Sequence, residues 1–280
     1  MIYNKIIDEA FEFYNIDDVY KNRCYELLTK ISKNERICKS FNIIYKRLYY
    51  GELKELWKYK IINDLFGMDI DPFMTNLILL FGYKIHKNNI EELKLDVKQI
   101  NKQKKRIKES FENDLIIRKY DGIRVSQMLW GIYFIRGKII EVGCLQFEYE
   151  DKTNIKIHIP RNTNLNILEV KKSINDSKLE IEKIFKIKQF KYICNSWLLS
   201  NQIYILLDKN SNISLFHNLF EVTDGDNCIK DILNFVYGIN GCNDYNELSE
   251  QTTLQRKIKE ELLDEKNFYL GLGVLKKENY

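Results

Sequence analysis

Alanine and proline are almost missing from this 280-residue chain: Ala10 is the only alanine and there are two prolines. With only 12 glycines beside them, collagen-like repeats and Pro/Gly linkers are excluded. Histidine is scarce, at three residues. The six cysteines, Cys24, Cys38, Cys144, Cys194, Cys228 and Cys242, form no CxxC pair. Structural zinc and a secreted disulfide framework are therefore not expected. A strong excess of one charge is also missing: 44 Lys and Arg against 40 Asp and Glu leave a net +4. Charge alone points neither to nucleic acid nor to an anionic membrane. The most apolar run, Leu77 to Tyr83, is far too short to span a bilayer. The N-terminal segment carries acids from Asp8 onward and has no uninterrupted apolar stretch of the kind a signal peptide needs. The expectation is a soluble, reduced, cytoplasmic protein with no membrane partner.

What is present is enough to build a core. The chain is 45% hydrophobic, which excludes a disordered polymer. Its length suits one large domain or two ordinary ones. Lysine far outnumbers arginine, and isoleucine and asparagine are abundant. We read that bias as the base composition of an AT-rich gene and not as function.

The spacing of apolar residues changes near Asn113. Before it, Ile90, Leu93, Val97, Ile100, Ile107 and Phe111 follow a helical repeat along one face. Ile43, Ile44, Arg47, Leu48, Leu53, Leu56 and Trp57 suggest another helix, broken near Gly51. Asp71-Pro72 reads as a cap and first turn opening a helix through Leu80. Residues 1–113 thus read as a helical region, and 114–280 as a second domain. After Asn113, Ser126 to Ile135 is rich in aromatic and β-branched residues and reads as a strand. Arg136-Gly137 reads as a hairpin turn into a second strand, Lys138 to Tyr149. In Asn154–Pro160, Ile155, Ile157 and Ile159 alternate with Lys156 and His158, completing an antiparallel meander. A helix over Leu165–Phe185 follows, then a buried strand over Phe190–Leu199 and a helix over Ser200–Leu207. Leu215 to Val222 reads as strand-like, a segment runs from Cys228 to Tyr237, and a last helix covers Leu254–Leu263 before the tail FYLGLGVL. The fold class is α+β, with a mixed, mostly antiparallel sheet and flanking helices.

The strings IHIPRNTNL, YICNSWLL, SNISLFHNLF and ELSEQTTLQRKIKEELL, in that order, resemble the GNAT-like C-terminal domain of a bacterial acyltransferase family. In that family an N-terminal N-acyltransferase domain precedes it, and LWGIYFIRGKIIEVGCLQFEY resembles the end of that domain. The family boundary then falls near residue 150. The resemblance covers roughly residues 125 to 275. It implies an acyl-CoA-dependent N-acyltransferase that takes acetyl-CoA or a longer acyl-CoA as co-substrate and uses no metal. The acceptor it implies is a small-molecule or peptide amine. It further implies a cleft where two parallel strands splay apart, with the pantetheine arm on the backbone of Ile157 and Ile159 in the first strand. The family's phosphate loop reads Gln/Arg-x-x-Gly-x-Gly/Ala. Here Arg161, Asn162, Thr163, Asn164 and Leu165, followed by Asn166, take its place. Arg161 keeps the first position and asparagines replace both glycines. Asparagine tolerates positive φ better than other non-glycine residues, so a nest of backbone amides survives the exchange.

Candidate chemistry gathers around His158, which points opposite Ile157 and Ile159. A histidine there suits a general base for an acceptor amine. The alternative is a half-buried histidine bonded across the sheet. Glu141 is a second candidate base or an orienting group for His158. Asn195 and Ser196 are candidate substrate contacts on the buried strand. Cys194 would pair with His158 only in a thiol mechanism, and a cysteine in an apolar strand is more often core. By resemblance, Tyr204 stands where such enzymes place the acid that protonates the leaving thiolate. His86 and His217 carry no ligand spacing, and Gly271-x-Gly273 is too short for a phosphate loop. The basic run Lys98 to Lys108 has no interleaved aromatics and reads as a solvated helix face, so nucleic acid is the least favoured partner. A scaffold that binds ligand without turnover is the alternative function. Oligomeric state is open.

Overall fold

The computed structural model describes residues 2–51, 71–161, 163–239 and 241–279. Its internal contacts divide the chain into two units, Met1–Ile140 and Glu141–Tyr280.

The first unit is helical. Its described helices are α1 (Ile2–Tyr14), α2 (Lys21–Lys33), α3 (Glu35–Tyr50), α4 (Met74–Phe81), α5 (Tyr83–Glu92), α6 (Val97–Ile116) and α7 (Val125–Ile135). Side-chain oxygens start several of them. Asn34 accepts from the Ile37 amide and Asp96 from the Gln99 amide. Asp71 accepts from Phe73 at 2.9 Å ahead of α4, as its sequence suggests. Every residue of α4 is buried. The expected face through Ile90 and Phe111 is interrupted, because Lys94 turns into the left-handed region at φ 50°. Val97 therefore lies 72% exposed, and α6 buries Gln99, Gln103 and Ser110 beside the expected Ile107 and Phe111. Leu53, Leu56 and Trp57 lie outside the described residues.

The first expected strand is not a strand. Ser126 to Ile135 lies within α7, which is buried on nearly every side. A helix covered all round shows no amphipathic period, so its aromatic and β-branched composition imitates a strand. Gly131 lets α7 pack tightly, since a Cβ there would come 2.7 Å from Leu79. Arg136-Gly137 then ends this helix and does not turn a hairpin. Gly137 takes φ 64°, its amide bonds to the Phe134 carbonyl, and the Lys138 amide bonds to the Tyr133 carbonyl. That pair of bonds is a Schellman stop.

The sheet belongs to the second unit, its first strand beginning two residues before the division. Lys138 to Tyr149 is two strands, β1 (Ile139–Val142) and β2 (Leu145–Tyr149), with Gly143 at φ 59° between them. They are followed by β3 (Asn154–His158), α8 (Ile167–Phe185), β4 (Lys191–Ser196), α9 (Asn201–Leu206) and α10 (Asn212–His217). The order continues with β5 (Phe220–Asn227), α11 (Ile229–Val236), α12 (Thr253–Leu263) and β6 (Tyr269–Leu275). The expected strand Leu215–Val222 thus straddles the end of a helix and the start of β5. The Ser211 hydroxyl, accepting from Ser214, starts that helix. Strand order is β1-β2-β3-β4-β6-β5. The β2–β3, β4–β6 and β5–β6 pairs are antiparallel, while β3–β4 is parallel and α8 makes the crossover. The architecture is α+β. The tail glycines serve packing: a Cβ on Gly271 would meet the Leu199 carbonyl at 2.1 Å, and one on Gly273 the Leu199 side chain at 2.7 Å.

One sheet face carries Phe147, Ile155, Ile157, Tyr192 and Cys194, all buried. The Tyr192 hydroxyl meets Ser177 of α8 at 2.6 Å, which places α8 over this face. The opposite face carries Gln146, Glu148, Lys156 and His158 on the β2–β3 side.

Candidate functional site

The parallel pair β3–β4 is short. It registers Asn154 with Lys191, Ile155 with Tyr192 and Lys156 with Ile193. Beyond this, β3 stays with β2 through His158, while β4 stays with β6 through Ser196. The sheet therefore splits between Ile157 and Cys194. The Lys191 amide bonds to the Thr153 carbonyl at 2.8 Å, which fixes the alternation along β3. Stepping by two, the carbonyl of Ile157 and the amide of Ile159 face the gap. On the other arm, the backbone of Asn195 faces it by the same count. Unpaired backbone of this kind is a ready edge for an extended, amide-bearing ligand.

A loop at the end of β3 leads into α8. Thr163 closes a turn by bonding to the Pro160 carbonyl at 3.2 Å, and Leu165 is buried. Asn162 lies outside the described residues. Arg161 is exposed and holds its guanidinium 5.5 Å from the Phe235 ring, which stacks on Trp197 at 6.3 Å. Asn164 accepts from the Asn212 side chain at 3.2 Å. The helix N-terminus is already capped, because Asn166 Oδ1 takes the amides of Leu168 (3.0 Å) and Glu169 (3.4 Å). Those amides are among the donors an anion would use at a helix start.

His158 stands at the end of β3 on the face away from α8. Its Nε2 lies 2.6 Å from Glu148 Oε2, and Glu148 is 6% exposed. Glu148 sits on β2, directly beside β3, and the sequence reading did not single it out. Glu141 is on β1, a strand further away, and accepts from Gln146 at 3.0 Å. The signal that would have found Glu148 is the β2–β3 register, in which Gln146 opposes His158 and Glu148 opposes Lys156.

Cys194 shares the face of Tyr192 and Ile157, opposite His158, so the two do not form a thiol–imidazole pair. Burial pushes its thiol up to about 12. Ser196 spends its hydroxyl capping the turn at Leu198, 3.2 Å away. Asn195 is exposed on the same face as His158. Tyr204 stacks on His217 with ring centroids 4.3 Å apart. His217 in turn bonds through Nε2 to Asn201, which donates to Asp224. The basic run on α6 is laced to acids, with Arg106 on Glu109 at 2.8 Å and Lys108 on Glu112 at 3.0 Å. Among the described residues, no group of three or more His, Cys, Asp or Glu side chains is placed to hold a metal ion. No described helix is long and apolar enough to cross a membrane.

Residues 99–275 match the family described as the GNAT-like C-terminal domain. Among solved structures, the chain is similar to an acyltransferase in complex with decanoyl-CoA. The TM-score is 0.70 at 16% identity, covering 96% of this chain and 86% of that one. It is also similar to an acyltransferase in complex with CoA and 10C-teicoplanin, with TM-score 0.71 at 15% identity, covering 96% and 87%. At these identities the similarity establishes the fold. No curated protein sequence matches the chain.

Proposed function

The chain belongs to the family of the GNAT-like C-terminal domain, and from that membership we propose that it transfers an acyl group from an acyl-CoA thioester to an amine. The observation that carries the proposal is the split between β3 and β4, which leaves backbone donors and acceptors of Ile157, Ile159 and Asn195 facing one gap. Pantetheine is an extended chain with two amides, and it complements such an edge. Solved structures of the same fold hold decanoyl-CoA, octanoyl-CoA and CoA, which supports this ligand class.

In this reading the acceptor approaches on the His158 face. Glu148 holds the imidazole of His158 through Nε2. The imidazole takes the proton of the acceptor ammonium, and the amine attacks the thioester carbonyl. The N–C bond forms, the C–S bond breaks, the CoA thiolate leaves with a proton, and the second proton shed by the nitrogen as the amide forms restores the donor. Tyr204 is the candidate donor to the thiolate. Glu148 fixes the orientation of the imidazole. The backbone at Ile159 polarises the carbonyl, and holding the two reactants together supplies much of the rate. Arg161, set against Phe235, is the phosphate contact, with Thr163, Asn164 and Leu165 in the loop beside it.

The capped start of α8 favours one competing reading, a scaffold that binds acyl-CoA weakly or without turnover. Titration calorimetry with acetyl-CoA, longer acyl-CoAs and free CoA separates the outcomes. Saturable binding that weakens at least tenfold in Arg161→Glu, followed by CoA release on adding amines, supports the enzyme. Binding with no release for any amine supports the scaffold. No binding at millimolar ligand removes both.

A further inference from the structure

The strand registers let the sheet face beside His158 be followed outward across the split. One row runs Gln146–His158, then across the gap to Asn195–Leu272–Thr223. The next row runs Glu148–Lys156–Ile193–Val274–Glu221. Both rows stay on the face away from α8. Their β2 end is buried, whereas beyond the split the face is open: Leu272 is 37% and Val274 39% exposed, and Asn195, Thr223 and Glu221 are exposed as well. Large apolar side chains standing together on an uncovered sheet face mark a surface that something covers.

The charges on these rows say what. Lys156 is their only cation, and it is held by Glu150 at 2.9 Å. Carboxylates stand at both ends, Glu148 behind His158 and Glu221 at the far rim. A ligand with a positive amine at the His158 end and an apolar body over Leu272 and Val274 matches this pattern, whereas an anion or a wholly polar amine does not. Neighbouring strands lie about 4.8 Å apart, so β6 is about 10 Å from β3 before the widening of the split is added.

The geometry points to an acceptor subsite on β4 and β6, selecting primary amines that carry an apolar body about 10 Å from the reacting nitrogen. This assignment rests on the acyl-transfer reading for the position of the amine. Leu272 and Val274 are contacts for the acceptor body and take no part in the chemistry.

The test compares butylamine with octylamine, whose extended chain spans that distance, by following CoA release with a saturating acyl-CoA identified by titration. The expected kcat/KM ratio favours octylamine by about tenfold or more, since each buried methylene contributes about 0.8 kcal/mol. The ratio falls toward one in Leu272→Gln and Val274→Thr, exposed positions where neither change disturbs the core. Octylamine no better than butylamine, or a preference unchanged in both variants, overturns the subsite. Octylamine binding measured directly by calorimetry keeps the two ideas apart. If the protein binds no acyl-CoA, the enzyme reading falls. The apolar surface still stands if octylamine binds wild type and not Leu272→Gln, and it falls if octylamine binds neither.

Discussion

His158 and Glu148 illustrate what single residues contribute to this site. A histidine alternating with Ile157 and Ile159 is legible in the sequence, because a period of two assigns its face. Its partner is not legible, because the 2.6 Å contact depends on how β2 registers against β3 and several acids lie within reach of a plausible strand. Glu141 illustrates the cost: it is one strand too far and is engaged by Gln146. If the pair acts as base and orienting group, His158→Gln lowers kcat by roughly 10²-fold or more while leaving acyl-CoA affinity within about twofold. Glu148→Gln lowers kcat less while also leaving acyl-CoA affinity within about twofold, a split that loss of packing alone would not produce. Steady-state kinetics beside calorimetry check both. A His158→Gln variant with undiminished kcat would remove His158 from the mechanism.

The elements were legible where a period of two or a cap marks them. β3 and α8 lie within two residues of their expected limits. The Thr252 hydroxyl and Gln255 amide form a reciprocal box that opens α12. α7 was not legible, because a helix buried all round loses its stripe. β6 was not legible either, because a strand joined to sequence-distant neighbours carries no local sign of them. Two expectations belong to this scale. If a CoA phosphate sits at the start of α8, Asn166 competes with it for the first amides, so Asn166→Gly tightens free CoA severalfold at a stability cost of only a few tenths of a kcal/mol. Calorimetry and a thermal melt read the two effects together, and weaker CoA binding would show that the loop uses Asn166 itself. At the β1–β2 turn, Gly143 takes φ 59° and its missing Cβ would lie 2.0 Å from Ser173 Oγ. Ser173 also accepts the Cys144 amide at 3.0 Å, so Gly143→Val costs both the backbone conformation and this docking onto α8. A loss of about 2 kcal/mol or more in chemical denaturation is expected.

For the whole molecule, the sequence shows a helical first part and a sheet-bearing second part, with the change read at Asn113. The contact division falls at Ile140 and Glu141. The interval contains α7, whose composition imitates a strand. Stability of the first unit carries its own pH signature. His86 is fully buried, with Nδ1 accepting from the Tyr14 hydroxyl at 3.1 Å and Nε2 donating to Gln103 at 2.9 Å. Burial pushes its pKa down to about 4 from 6.5. Between those values the unfolded chain binds a proton that the folded chain refuses, so stability is full above about pH 6.5 and falls as the pH drops toward 4. The loss amounts to about 3 kcal/mol at pH 4. Denaturation midpoints at pH 7, 5.5 and 4 check this, and a His86→Gln variant flattens the dependence. A wild-type midpoint indifferent to pH across that window would contradict it.

The position of β6 has a consequence for the order in which the cleft comes into being. β4 is held on one side by a short parallel register with β3 and on the other by β6, which also carries β5. In a growing polypeptide β3 and β4 emerge well before residues 269–275, and β5 has no place in the sheet until they arrive. The far arm of the gap is therefore fixed by a strand made after the other five of this sheet. A nascent chain halted before that strand exposes an unfinished sheet edge and offers no shaped cleft, so any ligand of the cleft can assist folding only after synthesis has passed β6.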